Sequence, residues 1–311
     1  MPIKVQSFGG PITWFFRKKC SAVTSKFSLT VAGKIYERKI NNYIKWFSSS
    51  ATIPPFKFVM FETVNRCNGT CAFCPANKNA EKRPYKKMPE ETFIKVINEL
   101  KEAKWEGTVF LQVNNEPLID PRLMEFAKIT KTNLPGSKIC IITNGTLLKP
   151  KIMLELQKYV DELVINDYSN KYRLSENIKE ILYFVKRNKK TFQNMHICIK
   201  RRYKDEILAT RAGNAPNKPR KNNKINYPCI YPFTDMIVFP DGTVGMCCND
   251  CYETTNYGNV NLEGVFQIWE GKKFQKLREA VGKGREGYNF CRECDVVDAG
   301  SREKIIEINN N

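Results

Sequence analysis

Three cysteines fall within eight residues, Cys67-Asn68-Gly69-Thr70-Cys71-Ala72-Phe73-Cys74, and Pro75 follows them. Thiolates this close on one loop can grip a single iron–sulfur cluster. A cluster that only carries electrons is usually held by four protein cysteines, so a set of three leaves one iron open to an outside ligand. Zinc would need a fourth cysteine or histidine nearby, and none lies within reach in sequence. The loop comes directly after Phe58-Val59-Met60-Phe61, a short apolar run that reads as a strand.

From Phe56 onward the chain alternates strand and helix patterns. Residues 89–104 read as a helix, with Pro89 near its start and Phe93, Val96, Ile97 and Leu100 at helical spacing. Further strands are expected at 108–113, 138–142, 162–165 and 195–199, with helices near 121–131, 150–158 and 175–188. Five β–α steps in order imply a parallel sheet that curls into a full or partial barrel. Chemistry in such barrels collects in the loops after the strand ends. The cysteine loop falls there, as do Asn114-Asn115-Glu116-Pro117, Thr143-Asn144-Gly145 and Asn166-Asp167-Tyr168. Asp167 is a candidate to hold a ribose or substrate hydroxyl, or else it caps its loop.

Residues 1–54 read as a basic extension. Residues 1–50 hold nine Lys/Arg against Glu37 alone, and Ser48-Ser49-Ser50 with Pro54-Pro55 mark a boundary. A helix near 33–47 is expected to cover the base of the barrel, with peripheral membrane contact as the alternative. The whole chain carries +19 at pH 7. That charge suits a lysine-rich solvated surface or an anionic small-molecule substrate. No RNA-binding motif accompanies it, so nucleic acid is not an expected partner. No apolar run reaches ~18 residues and the N-terminus does not read as a secretory signal, so a cytoplasmic protein is expected. There, twelve cysteines read as metal ligands or redox groups and not as a disulfide framework. His196 is the only histidine. It reads as a structural residue of a strand, and its solitude argues against His-based zinc sites and Ser-His-Asp chemistry.

Past a basic loop segment at 202–228, which contains Arg211, the style changes. Residues 236–239 and 243–246 flank Pro240-Asp241-Gly242 and read as a hairpin. The expected organisation is a basic extension 1–54, a core barrel 55–215 and a small cysteine-rich domain 216–311. Cys229, Cys247, Cys248, Cys251, Cys291 and Cys294 lie in this last part. Cys291 and Cys294 form a ligand pair by spacing, and the hairpin can bring Cys229 and Cys247 to it, which would supply a second [4Fe–4S] cluster with four ligands. Cys248 and Cys251 are then left over, and Cys248 could exchange with Cys247.

The C-x3-C-x2-C loop resembles the signature of the radical S-adenosylmethionine (radical SAM) superfamily, and the likeness covers about residues 56–200. It implies an α/β fold, a partial (β/α)6 TIM-like barrel with a small C-terminal iron–sulfur domain. Cys67, Cys71 and Cys74 would hold the SAM-binding [4Fe–4S] cluster, whose open iron chelates S-adenosylmethionine. Asn114, Asn115 and Glu116 stand where the family has a Gly-Gly-Glu-type motif. Both glycines are replaced, but Glu116 remains and would bind the amino group of S-adenosylmethionine, with backbone groups of Asn114 and Asn115 beside it. Thr143 and Asn144 match the motif near the ribose, and Phe73 resembles the aromatic beside the adenine. The second cysteine set, with Pro228-Cys229, Pro240-Asp241-Gly242, Gly258-Asn259 and Ile268-Trp269, resembles the twitch form of the SPASM domain. That domain would hold one auxiliary [4Fe–4S] cluster on Cys229, Cys247, Cys291 and Cys294.

The resemblance implies reductive cleavage of S-adenosylmethionine to a 5′-deoxyadenosyl radical and removal of a substrate hydrogen atom. An electron donor such as flavodoxin or ferredoxin would be needed. The first reading is a dehydrogenase or epimerase of a sugar, cyclitol or nucleotide-linked substrate. Cys248, or less directly Cys251, would return a hydrogen atom in the epimerase case, and Arg211 would bind a carboxylate or phosphate. The second reading is a peptide-modifying maturase. The third is a non-enzymatic iron–sulfur or membrane-associated binding protein.

Overall fold

The computed structural model describes residues 4–7, 37–169, 173–218 and 228–296. The remaining parts of the basic extension and of the 202–228 segment lie outside the described residues.

One eight-stranded sheet organises the chain in the order β1-β6-β5-β4-β3-β2-β7-β8. Its strands are β1 (Lys4–Ser7), β2 (Phe58–Phe61), β3 (Thr108–Phe110), β4 (Lys138–Thr143), β5 (Glu162–Tyr168), β6 (His196–Arg202), β7 (Asp235–Val238) and β8 (Val244–Gly245). All pairings from β1 to β7 are parallel, and only β7 and β8 run antiparallel. Helices α2 (Glu90–Glu102), α3 (Leu123–Asn133), α4 (Pro150–Leu156) and α5 (Glu176–Arg187) make the crossovers between β2 and β6. A parallel strand needs such a crossover because its end must be carried back to the start of the next. The sheet ends at β1 and β8, so the barrel is partial.

The two-residue period of a strand sorts the side chains into two layers. Val59, Phe61, Val109, Leu111, Ile139, Ile141, Leu163 and Ile165 face the helices and join the large core. Phe58, Met60, Phe110, Cys140, Val164, Cys198 and Ile237 form a second cluster on the other face. Phe61 meets Phe93 of α2 at 4.7 Å between ring centroids, and Phe93 meets Phe126 of α3 at 4.3 Å. Each fully buried ring contributes about 2–3 kcal/mol, enough to fix how α2 and α3 ride on the sheet. Cys140 and Cys198 are buried in the inner layer and belong to packing.

Two strands differ from their expected lengths. β3 stops at Phe110, and the Val113 N–H beyond it is taken by Asn115 Oδ1 at 2.9 Å. β5 continues to Tyr168 because Asn166, Asp167 and Tyr168 stay in register with Lys200, Arg201 and Arg202. β7, from the stretch assigned by sequence to the second domain, pairs with β2, so the barrel sheet extends past residue 215.

Helix α1, described over 37–49, buries Ile40, Tyr43 and Phe47. Phe47 packs edge-on against Phe233 of α6 (Tyr231–Thr234) and Trp269 of α7 (Val265–Glu270). Trp269 donates to Pro54 O at 2.9 Å, ahead of β2. The helix therefore packs beneath the strand N-termini, opposite the cysteine loop. Helices α8 (Lys272–Gly282) and α9 (Asn289–Arg292) complete the described chain. No helix among the described residues is long and apolar enough to cross a membrane.

Candidate iron–sulfur and substrate site

The loop after β2 is folded by its own backbone. Cys74 N–H donates to Cys71 O at 3.1 Å, and Lys78 N–H closes on Gly69 O at 3.0 Å. Asn77 clamps it, its Nδ2 donating to Cys74 O at 2.6 Å and Cys71 O at 3.2 Å. Gly69 sits among the thiols: its N–H points to Cys67 Sγ at 3.3 Å. A Cβ there would stand 3.3 Å from Cys67 Sγ and 3.8 Å from Cys71 Sγ, inside the space a metal group would take. Burial pushes the Cys67 thiol up to about 11, with Glu116 and Cys74 adding to the rise. Burial likewise pushes Cys71 up to about 12, helped by Cys74 and Cys67. Crowded thiols in a dry pocket keep their protons until a cationic group displaces them. Among the described residues no three Cys, His, Asp or Glu side chains close on a single metal ion. The donor set fits the open-sided iron–sulfur cluster that three thiolates on one loop imply.

The neighbouring rim is tied together by Glu116. It is 2% exposed, and its Oε1 accepts the Thr143 hydroxyl at 2.6 Å and Leu118 N–H at 3.2 Å. Its Oε2 accepts Asn144 N–H at 2.7 Å. The carboxylate thus joins the β3 and β4 loops. Asn144 Nδ2 in turn donates to Asn68 Oδ1 at 2.7 Å, which couples the Thr-Asn-Gly turn to the cysteine loop. Phe73 lies 5.6 Å from the Tyr168 ring and forms an aromatic wall. Asp167 accepts Ser175 N–H at 2.8 Å ahead of α5, so its carboxylate serves the loop.

Several buried polar atoms at this end of the barrel have no partner: Gln112 Oε1, Asn114 Nδ2, Asn115 Nδ2, Asn166 Oδ1 and Arg211 Nε. An unpaired buried polar group costs about 1–3 kcal/mol. Their concentration on one rim fits a site whose ligand supplies the missing bonds.

Arg211 projects across this rim. Its Nη2 donates to Asn114 Oδ1, and the same nitrogen meets Cys251 Sγ at 3.1 Å. Cys251 is fully buried; burial pushes its thiol up to about 11 against the pull of the Arg211 guanidinium, and Cys74 raises it further. Cys251 thus neighbours both Arg211 and Cys74 of the first cysteine loop. Cys248 is half-buried.

Cys229, Cys247, Cys291 and Cys294 lie near one another, and Cys248 stands next to Cys247 and also faces Arg211. The groups that raise the Cys247 thiol, after burial, include Cys229, Cys291 and Cys294 as well as Cys248. Burial pushes Cys229 up to about 11, opposed by Arg285. Arg285, 3% exposed, donates to Cys294 O at 3.3 Å and approaches Cys294 Sγ at 3.7 Å. Four thiols near one another with a cation at Cys294 fit the ligand count of a second cluster.

Sequence reading missed two further groups. Glu62 is fully buried and accepts Asn114 N–H at 3.1 Å. Arg83 binds Glu62 at 3.2 Å, Glu81 at 2.7 Å and Glu253 at 2.8 Å, while Lys86 bridges Glu253 and Asp241 at 2.9 and 2.6 Å. This network joins the segment after the first cysteine loop to the cysteine-rich part. Arg83 and Glu253 lie 170 residues apart, and no local pattern marks them.

Comparison with known proteins follows the same division. Residues 61–201 match the radical SAM superfamily, and residues 229–295 match an iron–sulfur cluster-binding domain named SPASM. A curated relative, the S-adenosyl-L-methionine-dependent 2-deoxy-scyllo-inosamine dehydrogenase of Niallia circulans, is 22% identical over 251 residues, 80% of this chain and 96% of that protein. The S-adenosylmethionine-dependent nucleotide dehydratase of Flammeovirga pacifica is 30% identical over 125 residues, 39% of this chain and 41% of that protein. The crystal structure of BtrN in complex with AdoMet and 2-DOIA superposes with a TM-score of 0.67 at 21% identity, covering 80% of this chain and 96% of that one. Native anSMEcpe with bound AdoMet gives 0.52 at 13% identity, covering 83% and 100%.

Proposed function

Because the chain belongs to the radical SAM superfamily and ends in an iron–sulfur cluster-binding domain, we propose that it dehydrogenates an alcohol carbon of a cyclitol, sugar or nucleotide-linked sugar. The observation that carries this reading is the division of the cysteines into a set of three beside the unpartnered polar rim and a second set of Cys229, Cys247, Cys291 and Cys294. When bound, the first cluster and S-adenosylmethionine supply a 5′-deoxyadenosyl radical that takes a hydrogen atom from a C–H bond, and the auxiliary cluster supplies a seat for the second electron.

In this reading Cys67, Cys71 and Cys74 hold the first cluster, and Cys229, Cys247, Cys291 and Cys294 hold the second. Gly69 leaves room for the first group, and Glu116 fixes Asn144 and Thr143 at its side. Phe73 and Tyr168 wall the site against water. Arg211 and Asn114 offer donors to the hydroxyl groups of the substrate, and Gln112 offers an acceptor. The strong positive charge suits an anionic substrate or an acidic electron donor of the flavodoxin or ferredoxin type. The resemblance to the inosamine dehydrogenase supports a polyhydroxylated ring.

One observation favours a second reading, epimerisation. Cys251 is a buried thiol at the rim beside Arg211, where it could return a hydrogen atom. The two readings separate in one experiment. The reduced, reconstituted chain is given S-adenosylmethionine and 2-deoxy-scyllo-inosamine in deuterated water. After exchange back into ordinary water, a product two mass units lighter supports dehydrogenation; one that keeps a single carbon-bound deuterium and loses it in Cys251→Ala supports epimerisation. Reconstituted protein that does not bind S-adenosylmethionine would sink both.

A further inference from the structure

The turn that carries Arg211 is built from left-handed residues. Arg211 and Ala212 have φ of 52° and 55°, and Gly213 follows at 84°. L side chains rarely adopt this conformation, and consecutive residues hold it only where the surroundings over-determine it. Here the surroundings come from the far end of the chain. Thr210 N–H donates to Asp295 Oδ1 at 2.6 Å, and Thr210 Oγ1 donates to Glu293 O at 2.5 Å. Asp295 Oδ2 takes the Lys218 ammonium, which also donates to Leu208 O at 2.8 Å. One carboxylate thus grips both ends of the strap 208–218. Asp295 directly follows Cys294, whose carbonyl and sulfur face Arg285.

We propose that Asp295 is a positioning residue: it locks the strap to the Cys291–Cys294 segment and so sets the Arg211 guanidinium over the rim. The inference rests on Arg211 contacting substrate, as read above. Its physical content is that the segment ligating the auxiliary cluster and the arginine meeting the substrate form one mechanical unit. Ordering the segment around its metal orders the strap. Losing the carboxylate frees the left-handed turn to relax and swings the guanidinium away from Asn114 and Cys251.

The test uses the full chain, reconstituted without oxygen, as wild type, Asp295→Ala, Asp295→Asn and Arg211→Lys. Three quantities are read: iron per chain, amide hydrogen exchange of residues 208–218, and KM and kcat with 2-deoxy-scyllo-inosamine as probe. Asp295→Ala is expected to keep about eight irons, the content of two [4Fe–4S] clusters. Its strap should exchange roughly tenfold faster or more, and its KM should rise on the order of tenfold with a smaller change in kcat. Asp295→Asn keeps an acceptor for Thr210 N–H and should fall between. Wild-type exchange in Asp295→Ala overturns the proposal. So does a fall to about four irons, because Asp295 would then support the cluster itself. An unchanged KM in Arg211→Lys, or no turnover of the probe by wild type, counts against the substrate reading alone. The exchange and iron results still decide the role of Asp295.

Discussion

Replacing Glu116 with glutamine changes one atom of a side chain that joins the β3 and β4 loops. In the wild type Oε1 accepts from Thr143 and Leu118, and Oε2 accepts from Asn144. An amide keeps one acceptor and turns its nitrogen toward a backbone N–H, donor against donor. Hydrogen bonds to a charged acceptor contribute about 1.5–3 kcal/mol, and an unsatisfied buried N–H costs about 1–3 kcal/mol. Glu116→Gln is therefore expected to lose about 2 kcal/mol, and Glu116→Ala, which strands all three donors, about 4 kcal/mol. For a chain of 311 residues, 2 kcal/mol lowers the melting temperature by roughly 3 °C. The second readout is the affinity of the reconstituted chain for S-adenosylmethionine, since Asn144 loses its anchor to the β3 loop. Calorimetric melting of the metal-free chain and equilibrium dialysis of the loaded chain measure the two effects. A glutamine variant that melts with the wild type and binds S-adenosylmethionine equally well would refute the argument that Glu116 works by positioning.

Three other outcomes are expected. Gly145 has φ of +75°, and a Cβ there would meet Ile178 Cδ1 at 2.6 Å and Ile165 Cγ2 at 2.8 Å; Gly145→Ala should therefore destabilise by about 2–4 kcal/mol through backbone strain and overpacking, read as a lower urea midpoint. Burial raises the Glu62 carboxyl from 4.5 to about 7 against the pull of Arg83. The folded state thus holds this proton more tightly than the unfolded chain, and the stability it contributes is complete below pH 4.5 and lost as pH rises through about 7. The change is on the order of 3 kcal/mol, and Glu62→Gln should flatten it; identical urea midpoint profiles for both proteins between pH 4.5 and 8 would contradict the burial argument. Changing Cys67, Cys71 and Cys74 to alanine should lower iron from about eight to about four per chain and abolish 5′-deoxyadenosine formation, checked by iron assay and chromatography; unchanged iron would mean that these residues hold no cluster.

Much of the fold was legible because its code is local. The alternation Val59/Phe61 against Phe58/Met60 and the helical spacing of Phe93, Val96, Ile97 and Leu100 are set within a few residues, and the strands and helices between β2 and β6 appear close to their expected positions. Strand ends were less legible, since β5 runs to Tyr168 through register with β6, a partner no local pattern names. The first cysteine loop was legible for the same reason as the helices: its donors lie within one turn of chain. Glu116 was legible as a rim residue, but its bonds to Thr143 and Asn144 were not, because those partners come from another β–α unit.

The sequence by itself determined the parallel α/β rhythm, the open three-cysteine loop and the presence of a second cysteine-rich region, because spacing along the chain bounds which thiols and which apolar faces can meet. Tertiary structure alone decided that Cys251 meets Arg211 and Asn114, whereas the set Cys229, Cys247, Cys291 and Cys294 was already expected from spacing and resemblance. It also decided that β7 returns to β2 and that Asp295 holds the strap of Arg211. These contacts span 40 to 137 residues within the first cluster alone. Each depends on the sheet bringing distant loops to one rim, where burial turns an ordinary carboxylate, guanidinium or thiol into a group that must find a partner.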